Sequence, residues 1–371
     1  MAYEDRKIIL SEIEELRGGR SLVCFSNFDR HAEPSIPGLS TQFHADVKEA
    51  LFRVLKESNP TGGVDVCLYT RGGDTNSVWP IVSLIREFDT DFEVLVPFRC
   101  HSSGTLMALG SRRIWMGPIS ELSPIDPSTG NQFNPRDPSD PRAQMAISVE
   151  DVRAYQSFVC EQFRDPETKK LLPFETLAEK HLRPFIERLA TEVHPLALGN
   201  VQRVLMQIQQ LATNLLGIHP VEREKPSEIV EALTTRFYSH LHMINRHEAR
   251  DILGGRVEFA PPELASALDR LLRAYEESFK LRHTFFLRSY LKGKLETEVR
   301  FIGGAVESTA WSYIFETKAI IRQHVRLPPN VQIQIPFDQP MPVVSGLPRD
   351  TEVEIASQGW VRNVEPLGVT T

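Results

Sequence analysis

Residues 64–110 read VDVCLYTRGGDTNSVWPIVSLIREFDTDFEVLVPFRCHSSGTLMALG, and the succession of patterns in this stretch sets the fold class. Entered through the turn Thr61-Gly62-Gly63, Val64 to Tyr69 is a short apolar run that predicts a buried strand. A glycine turn, Arg71-Gly72-Gly73-Asp74, ends it. Val78, Ile81, Val82 and Ile85 then recur at helical spacing. Glu93 to Phe98 is again strand-like, Ser102 to Gly110 is short and apolar enough for a buried helix, and Arg113 to Met116 reads as the next strand. Strands that are apolar throughout and alternate with helices predict a mostly parallel sheet, covered on both faces and wound with right-handed crossovers.

Upstream, Ile9, Ile13 and Leu16 mark one face of a short helix that ends at Gly18-Gly19. Ser21 to Phe25 reads as a strand, Asp29 to Thr41 as a loop, and Val47, Leu51, Val54 and Leu55 as an amphipathic helix. Downstream, Pro124 to Pro141 has loop composition, and Ser148 with Asp151 forms a helix-starting box. Val201, Val204, Leu205, Ile208, Leu211 and Leu215 make a helical stripe, as do Leu264, Leu268, Leu271, Leu272, Tyr275 and Phe279; both predict core-facing surfaces. Val299 to Ile302, Gly303-Gly304 and Ala305 onward read as a hairpin, and Val331, Ile333 and Ile335 as a half-buried strand. The expected architecture is an α/β core over residues 1–255 with a helical segment at 147–220. Residues 256–371 are expected to add a helix and a β-rich accessory module.

Of 371 residues, 41% are hydrophobic, enough for a sizeable core. The net charge of −7 gives no global signal for nucleic-acid binding. Cys24, Cys67, Cys100 and Cys160 show neither metal spacing nor a disulfide framework, which fits a reducing compartment. The first ten residues are charged and no apolar run reaches the roughly 20 residues that span a bilayer. A cytoplasmic protein without a transmembrane segment, metal or organic cofactor is expected. GxSxG, GxGxxG and Walker patterns are all missing from the sequence, which leaves α/β-hydrolase, dinucleotide and ATP chemistry without support.

Amide hydrolysis by serine needs an exposed hydroxyl, a base, and donors aimed at the developing oxyanion. Ser102 stands between a strand and a helix N-terminus, at the carboxyl end of a parallel strand where ligands bind such sheets. Gly72 and Gly73 end the neighbouring strand and let bare amides approach a carbonyl. The amides of Gly73 and Ser103 are the candidate oxyanion donors. Ser103 is the competing nucleophile; Ser102 is preferred because Gly104, two places on, would leave room for an acyl group. Taken singly, a Gly-Gly pair is more often just a turn and a serine before a helix just a cap. The two at successive strand ends of one sheet are more specific.

Leu68-Tyr-Thr-Arg-Gly-Gly-Asp-Thr-Asn76, Ile81-Val-Ser-Leu-Ile-Arg-Glu87, His101-Ser-Ser-Gly-Thr-Leu-Met-Ala-Leu-Gly110 and Leu122-Ser-Pro-Ile-Asp-Pro127, in that order, resemble the serine dehydrogenase proteinase family. That family is related to the signal peptide peptidases and, more distantly, to Clp protease subunits and crotonases. The resemblance runs from about Arg20 to Gly255. It implies a Clp/crotonase-like ββα-superhelix, a polypeptide substrate, Ser102 as nucleophile, and Gly73 with the amide after the serine as oxyanion donors. It also implies a homo-oligomer, and a closing helix of the unit within Ser239 to Gly254.

The base does not follow the family pattern. Where Clp-type enzymes place a histidine, this chain has Pro124-Ile-Asp-Pro, with Asp126. Asp140 to Asp165, where signal peptide peptidases place a lysine, has none; Lys169 and Lys170 follow, and their plain alternative is a solvated charge cluster. Lys170 or a histidine is the candidate base, with His101 and Asp126 as orienting candidates. His194 reads as a helix cap; His240, His242 and His247 fit no zinc spacing. Serine peptidase is the leading expectation. A scaffold that has lost efficient catalysis and an acyl-thioester enzyme are the alternatives.

Overall fold

The computed structural model describes residues 3–27, 42–125, 128–129, 132–137, 144–161, 183–221, 225–237, 239, 241–279, 287–325 and 349–363. Its strands are β1 (Ser21–Asn27), β2 (Val64–Tyr69), β3 (Glu93–Val96), β4 (Arg99–Cys100), β5 (Ile114–Met116), β6 (Glu121–Leu122), β7 (Ser128–Thr129), β8 (Ile147–Ser148), β9 (Ile244–Asn245), β10 (Val257–Phe259), β11 (Glu296–Glu307), β12 (Ser312–Val325) and β13 (Arg349–Arg362). The helices are α1 (Tyr3–Leu16), α2 (Val47–Ser58), α3 (Val78–Arg86), α4 (Ser103–Leu109), α5 (Val149–Glu161), α6 (Arg183–Glu192), α7 (Pro195–Leu216), α8 (Pro226–Glu231), α9 (Arg246–Leu253), α10 (Pro262–Phe279) and α11 (Leu287–Leu291).

One eight-stranded sheet runs β10-β5-β3-β2-β1-β11-β12-β13. Its first five strands pair in parallel, and β11 to β13 continue it as an antiparallel meander. Strand period two sorts the side chains between two helical layers. Val64, Val66 and Leu68 of β2 pack with α2, α3, α4 and α7, while Cys67 and Tyr69 pack with α1 and α10. Helix α10 buries Leu264, Leu268, Leu271 and Leu272 on its sheet-facing stripe, each leucine worth about 2 kcal/mol. Asp65, the polar break in β2, is fully buried. It is neutralised by Arg17 Nε and Arg20 Nε, each 2.6 Å from one of its oxygens, as a charge in an apolar layer requires.

Residues 256–371, expected as an accessory module, enter this same sheet from both sides: β10 pairs with β5, and β11 pairs with β1. The hairpin expected at Gly303-Gly304 is a correction. β11 runs straight through both glycines, and only its register shifts, between Ile302 and Gly304. A Cβ on Gly304 would lie 3.2 Å from Trp360 Cη2 and 3.2 Å from Ser26 O, so the glycine marks a bulge and a close approach. The chain turns instead at Ser308–Trp311, where the Ser308 amide donates to Trp311 O and its hydroxyl accepts from Ala310 N and Trp311 N. The helix start at Ser148 is real, but its hydroxyl accepts from the Glu150 amide. The strand expected around Val331 to Ile335 lies outside the described residues. Among the described residues, no helix is long and apolar enough to cross a membrane.

A second, small sheet stands beside the large one, in the order β4-β6-β9. Its β4 is parallel to β6 and is tied to the end of β2 by a Thr70–Cys100 bridge. The chain leaving β2, β4 and β6 therefore emerges at one place. Three segments meet there: Gly72-Gly73, Ser102-Ser103 and Ser123.

Candidate functional site

Phe43 runs alongside the glycine turn as a one-residue parallel bridge to Gly73. Its amide donates to Gly72 O and its carbonyl accepts from Asp74 N, both at 2.8 Å. In a strand the N–H and C=O of one residue leave by the same edge, so both groups of Gly73 face away from Phe43. The carbonyl accepts the Ser103 hydroxyl at 2.8 Å, which shows that this edge faces α4. A Cβ on Gly73 would fall 2.2 Å from Phe43 O; only glycine permits the pairing.

Ser102 has φ 50° and ψ −110°. With the Gly104 amide donating to His101 O at 2.8 Å, residues 101–104 form a type II′ turn whose first corner is Ser102. That corner favours glycine, and a side chain there stores about 1–3 kcal/mol of strain. The serine is not acting as a helix cap: its hydroxyl makes no capping bond. A strained serine on a strand-to-helix turn is the backbone device that exposes a nucleophile above a parallel sheet.

Gly72, at φ 98°, faces this corner. A Cβ there would sit 2.7 Å from Ser102 Cβ and 3.3 Å from Ser102 Oγ. Gly72→Ala is expected to lower the unfolding free energy by at least about 2 kcal/mol. Crowding accounts for about 1–3 kcal/mol and the positive φ for about 1 kcal/mol more. Guanidinium unfolding midpoints read the difference, and a midpoint equal to the wild type would show that the two segments do not touch.

The backbone donors around the serine are sorted. On either side of Gly73, the Gly72 amide donates to Thr70 Oγ1 at 3.0 Å and the Asp74 amide to Phe43 O. On either side of Ser103, the Ser102 amide donates to Ser123 Oγ at 2.8 Å and the Gly104 amide to His101 O. The amides of Gly73 and Ser103 donate to nothing among the described residues. Two donors unspent among the described residues border a half-buried hydroxyl that makes no hydrogen bond to any of them. The Ser103 hydroxyl on Gly73 O at 2.8 Å brings the two residues together, and the helix N-terminus would favour negative charge beside them.

No known protein-family model matches the chain. It is 23% identical over 283 residues to an uncharacterized protein of Methanocaldococcus jannaschii, which covers 76% of this chain and 83% of that one. That likeness names no reaction.

The other expected residues are placed as follows. Ser103 is fully buried with its hydroxyl spent on Gly73 O, so it does not compete as nucleophile. Gly104 does not leave room for an acyl group: its missing side chain would meet Thr70 Cγ2 at 2.6 Å and Cys100 Sγ at 3.2 Å, inside the packed core. His101 Nε2 lies 3.2 Å from Glu121 Oε1, the oxygen that also accepts Arg99 Nε at 3.1 Å. Asp126, Lys169 and Lys170 lie outside the described residues. His194 caps α7 through Nδ1, as its position predicted. His242 meets Glu248 at 3.0 Å and His247 packs edge-on to Phe259; His240 lies outside the described residues.

Asp74 is a local cap. It accepts from Ser77 Oγ at 2.7 Å and from Asn76 N at 3.0 Å. Burial works to raise its pKa, but these bonds and the charge of His44 outweigh it and hold the carboxyl below its ordinary value. The cysteines near the site offer no rival nucleophile. Burial pushes the Cys100 thiol far up, and the bond to Cys24 together with burial does the same for Cys67; the reactive form of cysteine is the thiolate. Phe43, Thr70, Thr105 and Ser123 belong to the site although the sequence reading did not single them out. A trace of Ser123 was visible in the Leu122-Ser-Pro motif.

Proposed function

We propose that this protein is a serine-type peptidase that cleaves peptide bonds through an acyl-enzyme on Ser102, built on a Clp/crotonase-like core. The observation that carries the reading is the pair of unspent amides, Gly73 and Ser103, beside a strained serine whose hydroxyl is uncommitted. The small sheet beside the large one, strand by strand, supports the superhelical core, and the resemblance to serine dehydrogenase proteinases points to the same nucleophile. A homo-oligomer in the cytoplasm goes with this reading.

Ser102 Oγ attacks the peptide carbonyl carbon while a base takes its proton, and the C=O electrons move onto oxygen. The Gly73 and Ser103 amides hold that oxyanion; each such donor is worth about 10²–10³ in kcat. Collapse breaks the C–N bond, the base returns the proton to the leaving amine, and water then cleaves the ester. Lys170 or a histidine is the base in this scheme. A lysine serves only with a pKa depressed by burial or by a neighbouring cation.

A fluorophosphonate probe tests the reading. The wild-type chain is expected to become covalently labelled, with mass spectrometry of the digested adduct placing the phosphonyl group on Ser102. A protein that only binds, or that handles thioesters without a serine ester, would leave Ser102 unlabelled, and that result would end the peptidase proposal.

A further inference from the structure

We propose that Ser123 is a positioning residue for Ser102, an inference that rests on the function just proposed. Ser123 is almost fully buried at the end of β6. Its hydroxyl accepts the Ser102 amide at 2.8 Å and gives its own hydrogen to Pro124 O at 2.9 Å. The residue is itself held to α4: its amide donates to Thr105 Oγ1 at 3.1 Å. Thr105 Oγ1 in turn donates to Cys100 O at 2.8 Å and lies 3.1 Å from Ser123 O. The clamp thus fixes the end of β4, the end of β6 and the start of α4 around one backbone amide.

The consequence follows from turn geometry. The closing bond of a type II′ turn leaves the N–H of its first corner residue unused. Relaxing Ser102 from positive to negative φ requires the 101–102 peptide to rotate, which would carry that N–H away from Ser123 Oγ and orphan a buried donor. The cost of orphaning it is of the same order as the strain it would relieve, so the hydroxyl of Ser123 decides whether Ser102 stays strained. It also occupies the amide of Ser102 itself and leaves the neighbouring Ser103 amide as the one free to face a carbonyl. Ser123 touches no substrate in this scheme; it acts through the conformation of Ser102.

The test is the kinetics of fluorophosphonate labelling on the full chain, separated into the saturating rate and the half-saturating probe concentration. Ser123→Ala, and the nearly isosteric Ser123→Cys with its poor acceptor, are expected to lower the saturating rate about ten- to a hundredfold. The half-saturating concentration should change less than about twofold, because the probe's binding surface is untouched. Ser123→Thr, which keeps the oxygen, is expected to restore most of the rate. Labelling of Ser123→Cys at the wild-type rate would overturn the role, and so would a folded Ser123→Thr as slow as the alanine variant. An unlabelled wild type would instead sink the peptidase reading itself, so the two failures are distinguishable.

Discussion

Ser102→Gly is expected to be more stable than the wild type by about 1 kcal/mol and to lose covalent labelling completely. The type II′ corner at φ 50°, ψ −110° burdens a serine with about 1–3 kcal/mol of strain. Glycine removes that strain, and its greater freedom in the unfolded chain takes back about 0.5–1 kcal/mol. Ser102→Ala separates the backbone from the hydroxyl. Alanine keeps the Cβ and therefore the strain, and it deletes an oxygen that bonds to no described residue. Its unfolding free energy is expected to stay within about 0.5 kcal/mol of wild type while labelling is equally lost. Denaturant midpoints of the three proteins, measured beside their labelling, are the readout. Glycine no more stable than alanine would mean that the corner is unstrained, and the strongest structural reason for assigning Ser102 a chemical role would go with it. Backbone strain of this kind clusters at active sites, ligand clamps and switch regions.

The contrast between glycine and alanine also marks where sequence reading reached its end. β2, α3, β3 and α4 were legible because each is a local pattern: an apolar run, a helical stripe, a turn residue between them. The location of Ser102 at a strand end was legible for the same reason. Its strain was not, because His101-Ser-Ser-Gly104 carries its glycine at the last turn position and a serine where glycine would be favoured. Gly303-Gly304 misled for the opposite reason. A glycine pair looks like a turn locally, and the neighbours that crowd Gly304 are Ser26 O of β1 and Trp360 of β13, both distant in the chain. Gly104 was read as free space and is a packing contact with Thr70 and Cys100. Ser123 was hidden because its role depends on the pairing of two-residue strands, β4 and β6, too short to have a period of their own. Nothing in the local pattern of β2 accounts for Asp65. Only the fold brings Arg17 and Arg20 to it.

Breaking the Arg6–Glu307 pair is expected to cost about 3–5 kcal/mol. Both side chains are fully buried. Arg6 Nε and a terminal nitrogen reach the two Glu307 oxygens at 2.8 and 2.6 Å, a bidentate geometry that only arginine offers. Tyr275 OH and Ser312 Oγ donate to the same carboxylate at 2.8 and 2.7 Å, and Arg6 also donates to Ser278 Oγ. Burial works to lower the Arg6 pKa, but the charge and bonds of Glu307 outweigh it and set it above the ordinary arginine value, so the guanidinium stays charged. Arg6→Met leaves a buried carboxylate with two hydroxyl donors; Glu307→Leu leaves a buried guanidinium without its carboxylate, still donating to the Ser278 hydroxyl. Replacing an ion pair by apolar residues on both sides often restores stability. Here the double variant is expected to recover only part of the loss, because Tyr275, Ser278 and Ser312 would each lose a partner. A double-mutant cycle on guanidinium midpoints reads the coupling, and single variants that cost less than about 1 kcal/mol would disprove it. The pair joins α1 and α10 to β11, β11 pairs with β1, and β1 pairs with β2, whose carboxyl end carries Gly72 and Gly73. If the variants are compared at temperatures where all stay folded, labelling of Ser102 is expected to be unchanged. A loss of labelling without unfolding would mean that this distant pair sets the geometry of the glycine turn as well as the stability of the sheet.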